Sequence, residues 1–189
     1  MTAAIRTAIF IDGPSLYATA KALEFDIDYK KLLTTYRRHG SLIRAFYYAP
    51  LFEDAEHRFL RSLDWLACNE YTVVTKAAKQ AVDAFGRQKM KARMDIELAV
   101  NAMEFAERID EMVLFSGNGD FRSLIEAVQR RGVRVTVVST IKRHASTVAD
   151  ELRRQADIFQ DLDEMRDLIG RARPAQRGPE ERTAGPIRL

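Results

Sequence analysis

Short β-branched apolar runs alternate along this chain with segments whose apolar positions recur every three or four residues. The runs at 5–11, 41–48, 71–75, 112–115 and 133–138 predict strands, and an extended piece near Ile158-Phe159 suggests a sixth. Helical spacing falls at 16–23, 29–38, 54–68, 95–109, 121–131 and 147–156. The fourth helix has the clearest stripe: Met94, Leu98, Ala102, Phe105 and Ile109 lie four, four, three and four residues apart. Gly132 after Arg130-Arg131 is a stop signal for the fifth. The stretch 76–93 carries neither period and reads as a long irregular loop. Strands that are apolar throughout and separated by helices must be covered on both faces. The expected fold is therefore α/β: a three-layer α/β/α sandwich on a mainly parallel, Rossmann-like sheet.

Composition narrows the class. At 189 residues the chain suits one domain, and 47% apolar with 30% charged residues excludes a disordered protein. The single cysteine, Cys68, excludes an internal disulfide and suits a reducing compartment. In Trp65-Leu66-Ala67-Cys68 it reads as a buried small hydrophobe. The run Ala8-Ile9-Phe10-Ile11 ends at Asp12, too short for a signal peptide, and no stretch approaches the ~20 apolar residues of a membrane span. The expected location is cytoplasmic. The net charge of +3 belongs to the end of the chain: from Gly170 to Leu189, five arginines minus two glutamates give +3, so 1–169 sum to zero. That region is also rich in Pro and Gly, so the expected division is a domain over 1–166 and a basic, disordered tail over 167–189. Specific binding of a polyanion must then come from local patches.

In a doubly wound sheet, ligands gather where strands end and the strand order reverses. Asp12 follows the first strand, Asp120 follows the strand 112–115 through Ser116-Gly117-Asn118-Gly119, and Asp95 opens the fourth helix. Aspartate is a favoured helix cap, so each alone has a structural explanation. Three in one layer point to a site. Oxygen donors without histidine or thiol partners suit Mg²⁺ or Mn²⁺, and the natural chemistry is metal-assisted attack of water on a phosphodiester. His39, His57 and His144 have no ligand spacing. The glycines of Gly117-Asn118-Gly119 serve a tight turn, since neither a dinucleotide fingerprint nor a P-loop is present. Arg87, Lys89, Lys91 and Arg93 alternate directly before Asp95, where a substrate phosphate needs countercharge. Lys142 and Arg143, past another strand, border the same rim. The remaining basic pairs read as helix ends. Tyr17, Tyr47 and Tyr48 read first as core or rim, with base stacking the alternative.

Several ordered segments are together specific. Phe10-Ile11-Asp12-Gly13-Pro14-Ser15-Leu16-Tyr17, the run from Met94-Asp95-Ile96-Glu97 to Asn101-Ala102-Met103, and Leu114-Phe115-Ser116-Gly117-Asn118-Gly119-Asp120-Phe121 resemble the NYN domain family, the LabA-like branch of the PIN-like nucleases. Arg131-Gly132-Val133-Arg134 and Ala149-Asp150-Glu151-Leu152 extend the resemblance to roughly 5–162. It implies a PIN-like sheet and an acidic Mg²⁺ or Mn²⁺ site acting on RNA. Asp12, Asp95 and Asp120 would be the retained metal-binding acids, with Asn118 beside them. Ser15, Asn101 and Ser116 would orient ligands or water. The chain departs from the family pattern, which usually has Asn at 15, Asp at 101 and 118, and Lys-Gly-Asn at Lys91-Ala92-Arg93. These departures predict weaker metal affinity. The functions implied are an endoribonuclease or, alternatively, a catalytically inactive RNA-binding or protein-interaction module. A nucleotide-binding regulatory domain is a more distant possibility, and an apolar helix face could support a homodimer.

Overall fold

The computed structural model describes residues 4–52, 55–82, 88–91, 93–142 and 148–171, and for 79–82 and 88–91 the backbone alone. Six strands make one sheet: β1 (Arg6–Asp12), β2 (Ser41–Leu51), β3 (Tyr71–Ala77), β6 (Glu111–Phe115), β7 (Arg134–Ser139) and β8 (Ile158–Asp161). Their order is β3-β2-β1-β6-β7-β8, and every neighbouring pair is parallel. The expected mainly parallel sheet is thus wholly parallel, and Ile158-Phe159 does supply the sixth strand.

Alternate residues of each central strand feed opposite cores, which is why the strands read as continuous apolar runs. Ala8, Phe10, Met112 and Leu114 face one core, closed by α4 (Asp95–Phe105), α5 (Arg122–Gln129) and α6 (Asp150–Gln155). Ile9, Ile11, Val113 and Phe115 face the other, closed by α1 (Gly13–Ala22), α2 (Tyr29–His39), α3 (His57–Cys68) and α7 (Arg166–Ile169). Helix stripes complete both layers: Leu98 and Ala102 on α4 and Ile125 and Val128 on α5 are fully buried, as are Leu32 on α2 and Ile169 on α7. The chain leaves β1 toward β2 on one side and returns to β6 on the other. The switch point lies between β1 and β6.

Local chemistry sets the ends of these elements. Asp12 caps α1 and Pro14 fills its first turn, so the helix starts at Gly13, three residues before its apolar spacing begins. Gly132 adopts φ +81°, the left-handed conformation that ends α5 before β7. Helix α4 ends at Phe105 rather than near 109, although Ile109 is still buried. The stretch 76–93 is not irregular throughout: β4 (Lys79–Val82) and β5 (Gln88–Lys91) pair antiparallel as a separate ribbon. Charged side chains on both strands hid it, because no apolar face alternates with them. Cys68 is exposed at the end of α3 rather than buried, because the helix turns Leu63 and Leu66 to the core instead. Helix α7 runs across the 166/167 boundary, and Gly170 bridges to Ile27. The remainder of the tail lies outside the described residues. No helix among the described residues is long and apolar enough to cross a membrane.

Candidate active site

Register brings the acids together. Ile11 pairs with Phe115, so the next residues, Asp12 and Ser116, leave adjacent strand ends at the switch point. Ser116 Oγ donates to Asp12 Oδ2 at 2.8 Å, while the Ser15 backbone N–H donates to Oδ1 at 3.4 Å. Ser15 Oγ accepts from the Gly117 backbone N–H at 3.1 Å, tying α1 to the loop after β6. The Asn118 backbone N–H donates to Ser116 Oγ at 3.2 Å. Both serines therefore tie β1 and the start of α1 to the loop after β6.

Asn118 is fixed at both ends. Its Oδ1 accepts from the Asp120 backbone N–H at 3.1 Å, capping a 3-10 turn at Gly119–Phe121. That bond leaves Nδ2 facing Asp95 Oδ1 at 3.5 Å, a long contact. Capping thus explains Asp12 in part and Asn118, but not the two other acids. Met94, not Asp95, stands at the α4 cap position, and no side-chain bond caps that helix.

Arg93 holds both of those acids. Its Nε lies 2.7 Å from Asp95 Oδ2, and its Nη2 donates to Asp120. The two carboxylates in turn hold the guanidinium pKa above its usual value, the Asp120 hydrogen bond contributing most. Arg93 was expected to meet RNA phosphate; here it meets the acids. Among the described residues Asp12 has no such partner, and burial raises its pKa. Its bonds to Ser116 and Ser15 oppose that rise, and the nearby Asp95 charge adds to it.

The other sequence candidates divide. Asn101 donates to the Tyr48 hydroxyl at 3.0 Å, so it supports the β2 end instead of reaching an acid. Lys142 is paired with Asp163 across the β7–β8 edge. Lys89 and Lys91 lie in β5 rather than in an irregular loop, and their side chains are not among those described. Arg87 and Arg143 lie outside the described residues. Tyr47 and Tyr48 are buried, whereas Tyr17 is exposed on α1. Two acids at the rim were not singled out by sequence. Glu97, in the first turn of α4, takes a 2.6 Å bond from Lys76 at the end of β3. Glu151 of α6 crowds Gly119, where an added Cβ would stand 2.5 Å from its Oε1. Each looks like an ordinary helix-start acid, so no local signal marks it.

Carboxylates, an amide and a hydroxyl are hard oxygen donors, and a cation would relieve the charge that burial and Asp95 impose on Asp12. In donor type the residues fit Mg²⁺ or Mn²⁺. Among the described residues no three acidic, histidine or cysteine side chains form a ready-made cage. With Arg93 across Asp95 and Asp120, an ion sharing those acids requires the guanidinium to let go.

A parallel sheet with helices on both faces and acids at its switch point defines a PIN-like α/β domain. Residues 6–163 match the NYN domain family, and the chain belongs to that family of nuclease-like domains. It is 34% identical over 168 residues to the low amplitude and bright protein LabA of Synechococcus elongatus, covering 87% of each protein. The crystal structure of a protein of unknown function from Vibrio parahaemolyticus has the same fold, with a TM-score of 0.74 at 23% identity, covering 90% of this chain and 98% of that one.

Proposed function

We propose that this protein is a divalent-cation-dependent nuclease that hydrolyses RNA phosphodiesters. The observation that carries this is the convergence of Asp12, Asp95, Asn118 and Asp120 on the β1–β6 switch point, with Ser116 fixing the buried carboxylate. A bound Mg²⁺ or Mn²⁺ supplies charge stabilisation at phosphorus and a more acidic attacking water. Asp12 and Asp95 would hold it from opposite elements, with Asp120 released to it by Arg93. Ser116 and Ser15 keep the Asp12 carboxylate in one rotamer, so little reorganisation remains at the moment of reaction. Arg93, once off the acids, and the lysines of β5 would carry the RNA backbone.

One observation favours a second reading, an RNA-binding module without turnover. Arg93 already balances two acids, and Asn118 adds no charge of its own. The two readings part on cleavage of a mixed-sequence single-stranded RNA in Mg²⁺, Mn²⁺ and chelator. The nuclease reading predicts metal-dependent cutting that chelator stops and Asp12→Asn abolishes with the fold intact. Asn118→Asp is the gain-of-function arm: it sets a second carboxylate oxygen about 3.5 Å from Asp95 Oδ1, a pair that cannot both ionise cheaply without a cation. Cutting only by that variant means one ligand is missing. No cutting by either, with salt-sensitive RNA binding, establishes the binding module.

A further inference from the structure

A groove of about 670 Å³ lies across the β1–α1 turn from the acids, between α1 and α3. Aromatic rings form much of its wall: Tyr17, Phe52 and Trp65 are 64%, 38% and 41% exposed. Arg58, Arg61 and Arg171 line it too, and none of its described lining residues is acidic. The side chains of Arg58 and Arg61 have no ion-pair or hydrogen-bond partner among the described residues. Two further cations sit on its rings, Lys30 Nζ 5.6 Å from the Trp65 centroid and Lys21 Nζ 5.9 Å from that of Tyr17. The acids Glu24, Asp26 and Asp167 line the neighbouring cavity, while the described lining of this groove carries charge of one sign beside exposed aromatic faces.

That pairing suits an unpaired nucleobase with its flanking phosphates: the ring stacks and the arginines meet the anions. A second copy docked about a two-fold axis would instead bring two such cationic patches together, like charge near like. The groove also adjoins the acids directly. Gly13, the residue after Asp12, forms its wall, and a Cβ there would stand 2.8 Å from the Tyr47 ring. We propose that this groove is a base-binding subsite for single-stranded RNA. Trp65 stacks on the base with Phe52 and Tyr17 closing the groove around it, Arg58 and Arg61 hold its phosphates, and the adjoining backbone crosses Gly13 to the acids. The direction of that crossing rests on the nuclease reading; the binding itself does not.

Trp65 is the protein's only tryptophan, so its fluorescence reports on the groove alone. The full chain is titrated in chelator, where no cleavage occurs, with a mixed-sequence single-stranded RNA, its duplex and an abasic strand of equal length. Quenching of Trp65 by the single strand, far weaker with the duplex or abasic strand, is expected. Phe52→Ala and Arg61→Ala, both on exposed side chains, should each weaken binding by about fivefold or more with unchanged circular dichroism. Quenching without cleavage in Mn²⁺ supports the subsite and sinks the nuclease reading. Cleavage by the wild type, Phe52→Ala and Arg61→Ala alike, with Trp65 silent, overturns the subsite and leaves the nuclease reading standing. Trp65 emission that follows protein concentration rather than RNA overturns it in favour of a self-association face.

Discussion

Asp12 and Arg93 treat the same problem, clustered negative charge, in opposite ways. Burial and the Asp95 charge raise the Asp12 pKa, so the folded protein holds that proton more tightly than the unfolded chain does. Stability from this group is therefore greatest below the ordinary aspartate range and falls as pH climbs through the raised value. Urea denaturation in chelator should show that decline, and Asp12→Asn should flatten it; an unchanged profile would mean that Asp12 is not strained. Arg93 offsets the charge on the other acids, but its side chain is 63% exposed and solvent screens such contacts. Its release is accordingly easy. Arg93→Met should bind Mn²⁺ several-fold more tightly in a calorimetric titration and melt lower in chelator. Weaker Mn²⁺ binding would instead make Arg93 a support for the site. Sequence showed Arg93 as one of four alternating cations before Asp95, but not its pairing with Asp120, 27 residues away and reached only through the fold.

Elements with a strong period were legible and those without one were not. The stripe Leu98–Ala102 on α4 is as deeply buried as its spacing implied, so Leu98→Ala should cost about 2–5 kcal/mol in urea unfolding. The ribbon β4–β5 was missed because its strands are polar and charged, and the groove because exposed aromatics on α3 look like part of its core stripe. Asp12 and Asp120 were legible from the strand-end rule, and Asp95 from its place opening α4. The serine links between the strands were not, since they depend on the register of β1 against β6. At the β1–α1 turn the close approach is to backbone. A Cβ at Gly13 would meet the Tyr48 carbonyl oxygen at 2.6 Å, backbone that cannot swing aside. Gly13→Ala should destabilise by roughly 1–3 kcal/mol by overpacking. Denaturation with the wild-type midpoint would show that the turn can yield.

At the scale of the whole molecule, one clip fastens the amino edge of the sheet opposite the acids. Arg6 donates to Asp110 through its backbone N–H and, bidentately, its guanidinium, at 2.8–3.1 Å. This lowers the Asp110 pKa to about 2, with the side-chain bond to Arg6 the main cause. The stabilisation is present above the ordinary aspartate range and is lost as pH falls through that value. Asp110→Asn should thus unfold more easily than wild type at neutral pH, with the difference closing in strong acid by circular dichroism.

Of the two central strands of this sheet, β1 is made before every other strand in it. Its two neighbours are β2, some 35 residues later, and β6, some 104 residues later by register. At about 5–20 residues per second on the ribosome, β1 waits roughly 5–20 s for β6. During that interval Phe10 and Ile11 have at most one partner strand instead of two, and the acids have not met. Vectorial synthesis thereby makes assembly of the charged cluster a late event: an apolar scaffold is laid down before the carboxylates that strain it are gathered at its edge.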